Sequence, residues 1–215
     1  MTTPADNGLM AIYGRLYEAF GPQRWWPGET PFEVAVGAIL TQNTNWGNVE
    51  KAIHNLKKKG KLSASAIHRM TFEVLASLIR PAGYFNVKAK RLKSFVDFLV
   101  SEYHGSMAEM KKEDGPVIRS RLLSVNGIGP ETADSIALYA LEKPVFVVDA
   151  YTKRILSRHN VLPQGFSYDA FQALFHFSLT ADVRLFNEYH ALFVRLAKDR
   201  CRAKAVCSGC PLEGV

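Results

Sequence analysis

Residues 122–152, LLSVNGIGPETADSIALYALEKPVFVVDAYT, contain a glycine-rich turn, a helix and an apolar run that ends in one carboxylate, and this stretch constrains the fold most. Glycine tolerates positive φ and close backbone approach, so Gly127-Ile128-Gly129-Pro130 predicts a tight turn whose amides point outward. Pro130 suits the first position of the helix that follows. A turn of this kind at a helix N-terminus favours an anion site.

The helix after this turn leads to a short connector and then to Asp149. Apolar positions recur at the spacing of a buried helical stripe, at Ala133, Ile136, Ala137 and Ala140. Val145-Phe146-Val147-Val148 is too short for another helix and predicts an extended connector. We expect Asp149, which follows it, to cap a helix that begins near Ala150.

The bulk properties of the chain indicate its class and a polyanionic partner. The 215 residues are 47% apolar, enough for one large domain or two small ones with a real core. Lysine and arginine exceed the acidic residues by 27 to 20, which favours nucleic acid as a partner. No apolar stretch approaches the ~20 residues that span a bilayer, and the first six residues lack secretory features. We therefore expect no membrane association and a cytoplasmic location.

The apolar pattern predicts an almost entirely helical, all-α protein. Helices are expected over residues 9–20, 31–42, 46–58, 63–70, 71–79, 87–103, 107–112, 116–123, 131–141, 150–159, 168–179 and 183–198. Proline and glycine mark the main loops at residues 27–28, 81–83 and 163–165.

The pattern L-x-x-V-x-G-I-G-x-x-T-A, followed about twenty residues later by V-V-D, resembles the helix-hairpin-helix signature of the endonuclease III superfamily of DNA glycosylases. The resemblance covers nearly the whole chain. It implies two helical lobes with an active-site cleft between them. One lobe would be a helical barrel over residues 29–143 that includes the helix-hairpin-helix, and the other would combine residues 1–28 with 144–215. It also implies duplex DNA containing a damaged base as the partner, and we expect a monomer.

Removing a base requires taking it out of the stack, which leaves a gap to be filled. The segment Leu40-Thr41-Gln42-Asn43-Thr44 resembles the family's L-x-Q-x-T segment, and residues 83–89 resemble its G-x-Y/F-N-x-K-A loop. The resemblance makes Gln42 and Tyr84 the gap-filling residues, by which we mean the side chains that enter the duplex. Further DNA contacts are expected from the hairpin and its surroundings, at Asn126, Gly127, Gly129, Thr132 and Lys153.

Asp149 occupies the position of the family's catalytic carboxylate. Breaking the glycosidic bond builds positive charge on the deoxyribose, which a fixed carboxylate stabilises. Strand-cleaving members carry a lysine two residues beyond the second glycine, where this chain has Glu131. Because a carboxylate cannot form a Schiff base, we expect no AP-lyase activity and assign Glu131 to the substrate side of the site. Lys153 is the nearest substitute amine and is interpreted as a phosphate contact.

The three tryptophans indicate the substrate class. Trp25, Trp26 and Trp46 lie in segments that would flank the cleft, and tryptophan faces attract cationic rings. Alkylation at N3 or N7 makes a purine cationic. The combination of W-W-P, L-T-Q-N-T and GIGxExAD is most similar to the 3-methyladenine DNA glycosylase III branch, whose pocket stacks the damaged base between aromatic rings. Two alternatives stay open: a glycosylase for oxidised or mismatched pyrimidines, and a helix-hairpin-helix protein that binds DNA without catalysis.

The cysteines cluster at the end of the sequence as Cys201-x5-Cys207-x2-Cys210, which favours metal over disulfide. The spacing resembles the family's C-x5/6-C-x2-C-x5-C loop, which ligates a [4Fe-4S] cluster. Three of the four expected ligands are present, and the sequence ends at Val215, one residue before a fourth. We expect a structural cluster or a degraded remnant of one. Basic side chains nearby predict DNA-backbone contacts, at Arg195, Lys198, Arg200, Arg202 and Lys204.

Overall fold

The computed structural model describes residues 4–26 and 28–215, with side chains described from Gly8 onward. Pro27, part of the W-W-P pattern and of a predicted loop, lies outside the described residues, as do the first three residues of the N-terminal stretch tested for a secretory signal. The chain divides into two compact units, Pro27–Lys143 and Met1–Trp26 together with Pro144–Val215. None of the described helices is both long enough and apolar enough to cross a membrane.

The prediction of an all-α protein is confirmed. Twelve α-helices run through the described residues: α1 Pro4–Phe20, α2 Pro31–Leu40, α3 Trp46–Lys58, α4 Ala64–Arg69, α5 Phe72–Leu78, α6 Phe85–Tyr103, α7 Met107–Lys111, α8 Gly115–Ser124, α9 Pro130–Ser135, α10 Ala150–Arg158, α11 Tyr168–Ser178 and α12 Val183–Asp199. Within the described residues, 4–26 and 28–215, the β pairing consists of one isolated bridge between Cys201 and Ala205.

Two predicted helices differ from the structure by more than two residues, and the other predicted boundaries agree to within two. Helix α1 begins at Pro4 rather than residue 9, and α6 begins at Phe85 rather than residue 87. The helix expected over residues 131–141 is α9 followed by a wider π turn, Ile136–Ala140, closed by a bond from the Leu141 amide to the Ile136 carbonyl. A 3₁₀ turn at Arg80–Ala82 was not predicted.

The unit Pro27–Lys143 is built around α2. From Glu33 to Leu40 every residue of this helix is buried, as expected of a helix that is apolar on all sides. Thr30 caps it by accepting a hydrogen bond from the Glu33 amide, and the buried Glu33 carboxylate pairs with Lys57 of α3 at 2.9 Å. Helix α2 packs against α3, α6, α9 and the π turn. Its C-terminal end therefore lies beside the hairpin.

In the second unit, α12 packs against α1 and α10, and α11 packs against α1. Ring contacts among Phe146, Phe175, Tyr189 and Phe193 form an aromatic core. The connector predicted over residues 145–148 runs through this core without regular secondary structure. Side chains of α11 satisfy its backbone: the Phe146 amide donates to His176, and the Phe146 carbonyl accepts from Gln172 at 2.7 Å. The Val148 amide donates to the Tyr168 hydroxyl. The connector is thus held firmly on its way to Asp149.

Candidate functional site

The hairpin, residues 125–130, joins α8 to α9 and presents an exposed backbone. Gly127 has φ +86°, and a Cβ there would collide with the Arg91 side chain, so both conformation and packing require glycine. Gly129 caps α9 with φ −93°, and a Cβ there would meet nothing within 4 Å. Asn126 and Gly129 are exposed, whereas Ile128 anchors the turn in the core.

Gln42, predicted to fill the gap in DNA, lies against the hairpin in this structure. Its Nε2 donates to Thr132 Oγ1 at 2.9 Å and to the Gly127 carbonyl at 3.2 Å, and its Oε1 accepts from Arg91. Thr132, predicted to contact DNA, is buried at 7% exposure and serves as a partner of Gln42. The hairpin and the loop that carries Gln42, residues 41–45, therefore form one hydrogen-bonded group. We call this segment the Gln42 loop.

Tyr84, the second predicted gap-filling residue, projects from the surface. Its side chain is 73% exposed, and its backbone is left-handed at φ 46° immediately before α6. Gly83 just before it also has a positive φ, 69°, so two consecutive residues in uncommon backbone conformations precede α6.

Asp149 is the N-cap of α10, as expected. Its Oδ1 accepts from the Thr152 amide at 2.7 Å and from the Thr152 hydroxyl at 2.9 Å, and its side chain is 14% exposed. The other oxygen, Oδ2, lies 3.6 Å from His190 Nε2. Burial raises the pKa of Asp149, but His190 and Thr152 together outweigh it and hold the pKa below its ordinary value. The carboxylate is therefore ionised at neutral pH.

His190 is the partner of Asp149 that sequence reasoning missed. It is buried in the middle of α12, among apolar neighbours such as Tyr189 and Phe193. A titratable side chain on the buried face of a strongly amphipathic helix was the available signal. The pairing itself depends on the packing of α10 against α12, which no local pattern records.

Trp25 and Trp26 follow α1 and contact each other edge to face, with ring centroids 5.2 Å apart. The segment is held against α12, because the backbone amide of Gln23 donates to the Glu188 carboxylate at 2.6 Å. Lys198 of α12 lies over the Trp25 ring at 5.9 Å, so that ring already has a cation near it. Trp46 begins α3 in the other unit, where its indole donates to Glu50.

The two residues relevant to strand cleavage lie on separate helices. Glu131 is exposed in the first turn of α9. Lys153 lies one turn beyond Asp149 on α10, where its Nζ donates to the Phe166 carbonyl at 3.2 Å and lies 5.4 Å from the Phe171 ring. The Lys153 amine is thus directed toward the loop before α11.

The three cysteines are free thiols, and the cysteine tail, residues 201–215, is held by protein groups. Arg158 donates to Cys201 Sγ at 3.2 Å and to the Arg202 and Ala203 carbonyls, and Arg154 donates to the Cys201 carbonyl. Cys201 is buried and Cys207 is exposed. Within the described part of the chain no group of three or more ligating side chains could hold a metal ion. The residues as placed do not fit a [4Fe-4S] cluster.

The basic residues of this region have varied surroundings. Arg195 pairs with Asp199 at 2.7 Å, and Arg202 donates to the Lys198 carbonyl. Lys204 is exposed and Arg200 is half-buried. The predicted DNA-backbone contacts of this group stay predictions.

Comparison with known proteins bears on this arrangement. Residues 36–176 match the HhH-GPD superfamily base excision DNA repair protein model. A Methanocaldococcus jannaschii protein, provisionally assigned as a DNA repair glycosylase, is 50% identical over 207 residues, which cover 95% of this chain and 94% of that protein.

Solved structures give the same result. The 3-methyladenine DNA glycosylase of H. pylori, bound to 1,N6-ethenoadenine, has a TM-score of 0.74 and 30% identity, and the match covers 91% of this chain and 98% of that one. Endonuclease III trapped covalently on DNA has a TM-score of 0.83 at 20% identity, covering 99% and 94%, a likeness of fold. The resemblance to the endonuclease III superfamily is confirmed, and the chain belongs to the HhH-GPD superfamily as a base excision repair DNA glycosylase.

Proposed function

We propose that this protein is a monofunctional DNA glycosylase that flips out and excises an alkylated purine such as 3-methyladenine. The observation that carries the proposal is Asp149, an ionised and largely buried carboxylate whose Oδ1 is fixed by Thr152 and whose Oδ2 faces His190. A carboxylate held in this way stabilises positive charge without having to reorganise.

The reaction is hydrolysis of the bond between C1′ and the base nitrogen. The bonding electron pair leaves with the base, which turns a cationic alkylated purine neutral, and positive charge develops on the sugar. The Asp149 carboxylate stabilises that charge, water adds to C1′, and a proton is released to solvent. Because the cationic base is already a good leaving group, the site needs no strong general acid.

The absence of AP-lyase activity is proposed from the side chains near the hairpin and Asp149. Glu131 replaces the lysine that strand-cleaving relatives use, and it cannot form an imine. The Lys153 amine is engaged with the Phe166 carbonyl and the Phe171 ring. The product expected is an intact abasic site.

The substrate class is proposed from the H. pylori relative and from the tryptophans. That relative is a 3-methyladenine DNA glycosylase at 30% identity. Of the two adjacent tryptophans, Trp26 is the preferred stacking ring, because the cation of Lys198 near Trp25 would repel a cationic base at that face. Trp46 remains a candidate on the sequence pattern alone. A thermostable thymine-DNA glycosylase also shares the fold, with a TM-score of 0.75, but at 20% identity it carries no argument about substrate.

We further propose that the two compact units correspond to the two lobes of the family and that the protein acts as a monomer. Exposed hairpin groups, Asn126 and Gly129 among them, would bind the phosphate backbone of DNA without reading sequence. Gln42 and Tyr84 would fill the gap left by the flipped nucleotide. The exposed Tyr84 ring is suited to stacking on the unpaired base.

The test compares Asp149→Asn with Asp182→Asn on duplexes that carry 7-methylguanine, a stable 3-methyladenine analogue, deoxyuridine or thymine glycol. Each residue caps its own helix through its Oδ1 atom, and asparagine preserves either cap. We expect Asp149→Asn to lose excision by ~100-fold or more while it keeps lesion binding, and Asp182→Asn to retain activity.

The products discriminate the alternatives. Strand breaks that appear only after alkali support a monofunctional enzyme, whereas nicking without alkali or trapping by borohydride would contradict it. Preferred release of uracil or thymine glycol would favour the pyrimidine alternative. A parent that binds duplex DNA but releases no base, with Asp149→Asn binding equally well, would leave only a DNA-binding module. Excision by Asp149→Asn at the parental rate would instead contradict the role of Asp149.

A further inference from the structure

Lys88 is a buried lysine near the start of α6 that the proposed chemistry does not use. Its side chain is 1% exposed, and its Nζ donates to the Leu40 carbonyl at 2.9 Å and to the Ala82 carbonyl at 2.7 Å. Across residues 8–26 and 28–215, no ion pair joins this ammonium to a carboxylate. Burying a charge that no carboxylate pairs with is costly even when it is hydrogen-bonded, which raises the question of what these hydrogen bonds do.

The two carbonyls occupy equivalent places in two loops. Leu40 is the last residue of α2 and lies two residues before Gln42. Ala82 ends the 3₁₀ turn and lies two residues before Tyr84. One ammonium group therefore joins the backbones of the two segments that carry the gap-filling residues.

We propose that Lys88 is a positioning residue that holds the Gln42 loop and the Tyr84 loop in a fixed relation, so that both side chains enter the duplex together. The inference rests on the gap-filling roles in the proposed function. It extends that function by naming the group that couples two segments more than forty residues apart in sequence.

The chemistry of the side chain suits this role. Carbonyls at the end of a helix lack intrahelical donors and carry partial negative charge, and an ammonium supplies three donors on a flexible stem. Arg91, one turn later on α6, hydrogen-bonds the Gln42 side chain, so the same helix orients both the backbone and the side chain of that loop. Burial, together with the nearby Arg91 charge, lowers the pKa of Lys88 to about 8.

Helix α6 offers a matched control in Lys93. Its Nζ donates to the carbonyls of Ile67, His68 and Met70 at the end of α4, at 3.2, 2.6 and 3.2 Å. Lys93 thus makes the same kind of contact from the same helix, but to a segment that carries no gap-filling residue. Comparing variants of Lys88 and Lys93 therefore separates two effects. One is the general loss of a lysine that hydrogen-bonds backbone carbonyls, and the other is the loss of the particular contacts that Lys88 makes.

The experiment uses a duplex with a tetrahydrofuran abasic analogue opposite 2-aminopurine, whose fluorescence reports insertion into the gap without any excision. We expect Lys88→Met to reduce the fluorescence change at saturating protein and to slow single-turnover excision of the preferred lesion by ~10- to 100-fold. Affinity for undamaged duplex should change less than ~3-fold, because phosphate contacts remain. Lys93→Met should leave the fluorescence change and the excision rate near the parental values.

Lys88→Gln keeps two N–H donors on a shorter side chain and should give an intermediate effect. It is the variant to measure if Lys88→Met does not fold. Circular dichroism at the assay temperature establishes that each variant is folded. A folded Lys88→Met or Lys88→Gln protein with parental fluorescence and excision would overturn the inference, as would an equal loss in Lys93→Met. If the parent excises none of the lesions but still gives the fluorescence change, the proposed substrate fails while the Lys88 inference remains testable on the abasic duplex.

Discussion

At the scale of single residues, two glycines of one turn have separate reasons to be glycine. Gly127 needs its positive φ and its missing Cβ within the protein, because Arg91 packs against it. Gly129 has an ordinary φ and open space beside its Cα, so the folded protein alone does not require glycine there. An open backbone at a helix start leaves room for a phosphate to approach.

We therefore expect Gly127→Ala to lower the free energy of unfolding by about 2 to 4 kcal/mol, from the left-handed conformation and the clash. Gly129→Ala should cost no more than about 1 kcal/mol yet weaken binding to undamaged duplex. Urea unfolding and fluorescence anisotropy measure the two effects. Equal destabilisation by both substitutions would contradict this division of roles.

The environment of Asp149 predicts the acid limb of the pH profile. Because the pKa of Asp149 is lowered, the carboxylate stays ionised below its ordinary pKa of 3.8, and its catalytic contribution is lost only as pH falls through the lowered value. His190→Ala removes one of the two partners that lower the pKa of Asp149, so the acid limb of the single-turnover rate should move to higher pH. The exposed pair His68 and Asp97 supplies the control, since His68→Ala should not move the limb. An unchanged acid limb in His190→Ala would mean that His190 does not influence the ionisation of Asp149.

At the scale of elements, the sequence predicts what depends on near neighbours. Helix α3 begins at Trp46 and ends at Lys58 as expected, because Asn45 caps it and two lysines close its last turn. The start of α6 was missed because Tyr84 adopts a left-handed conformation that its own side chain does not favour.

Distant contacts explain the rest of what the sequence could not predict. Lys88 reaches the Leu40 carbonyl, and His190 reaches Asp149, only when segments remote in sequence pack together. The identity of the Asp149 cap was local and therefore predictable. The residue that helps to lower the pKa of Asp149, His190, could not be predicted from near neighbours in the sequence.

The cysteine tail makes a prediction at this same scale. Arg158 holds residues 201–203 through three hydrogen bonds, whereas Cys207 is exposed. We expect Arg158→Ala to speed proteolysis of the tail and to lower stability by about 1 to 3 kcal/mol, and Cys207→Ser to change neither. Loss of a visible absorption band and of the folded tail in Cys207→Ser, in anaerobically purified protein, would instead mean that a cluster holds this segment.

At the scale of the whole molecule, the two compact units carry complementary parts of the proposed chemistry. The unit Pro27–Lys143 contains the hairpin, Gln42 and Tyr84, all of which are proposed to hold DNA. The other unit contains Asp149, and α12 links its surroundings to the tryptophan segment through His190, Glu188 and Lys198. The net charge of +7 on the whole chain favours association with a polyanion.

The stability of the protein should also depend on pH through Lys88. Its pKa is about 8 in the folded chain, against 10.5 for an ordinary lysine. Between these values the unfolded chain keeps a proton that the folded chain has lost, so the free energy of unfolding rises with pH across this window. The gain over the full window is on the order of 3 kcal/mol. Below pH 8 the cost of burying the ammonium near Arg91 is fully present.

Urea unfolding of the parent and of Lys88→Met at pH 8 and at about pH 9.5 isolates this effect. Tyr103 and Lys57 have raised pKa values and act in the opposite sense, but mainly above pH 10 and equally in both proteins. The parent should therefore gain stability relative to Lys88→Met as pH rises, while Lys93→Met should follow the parent. A constant difference between the parent and Lys88→Met would mean that the lysine titrates normally, and that burial does not act on its charge.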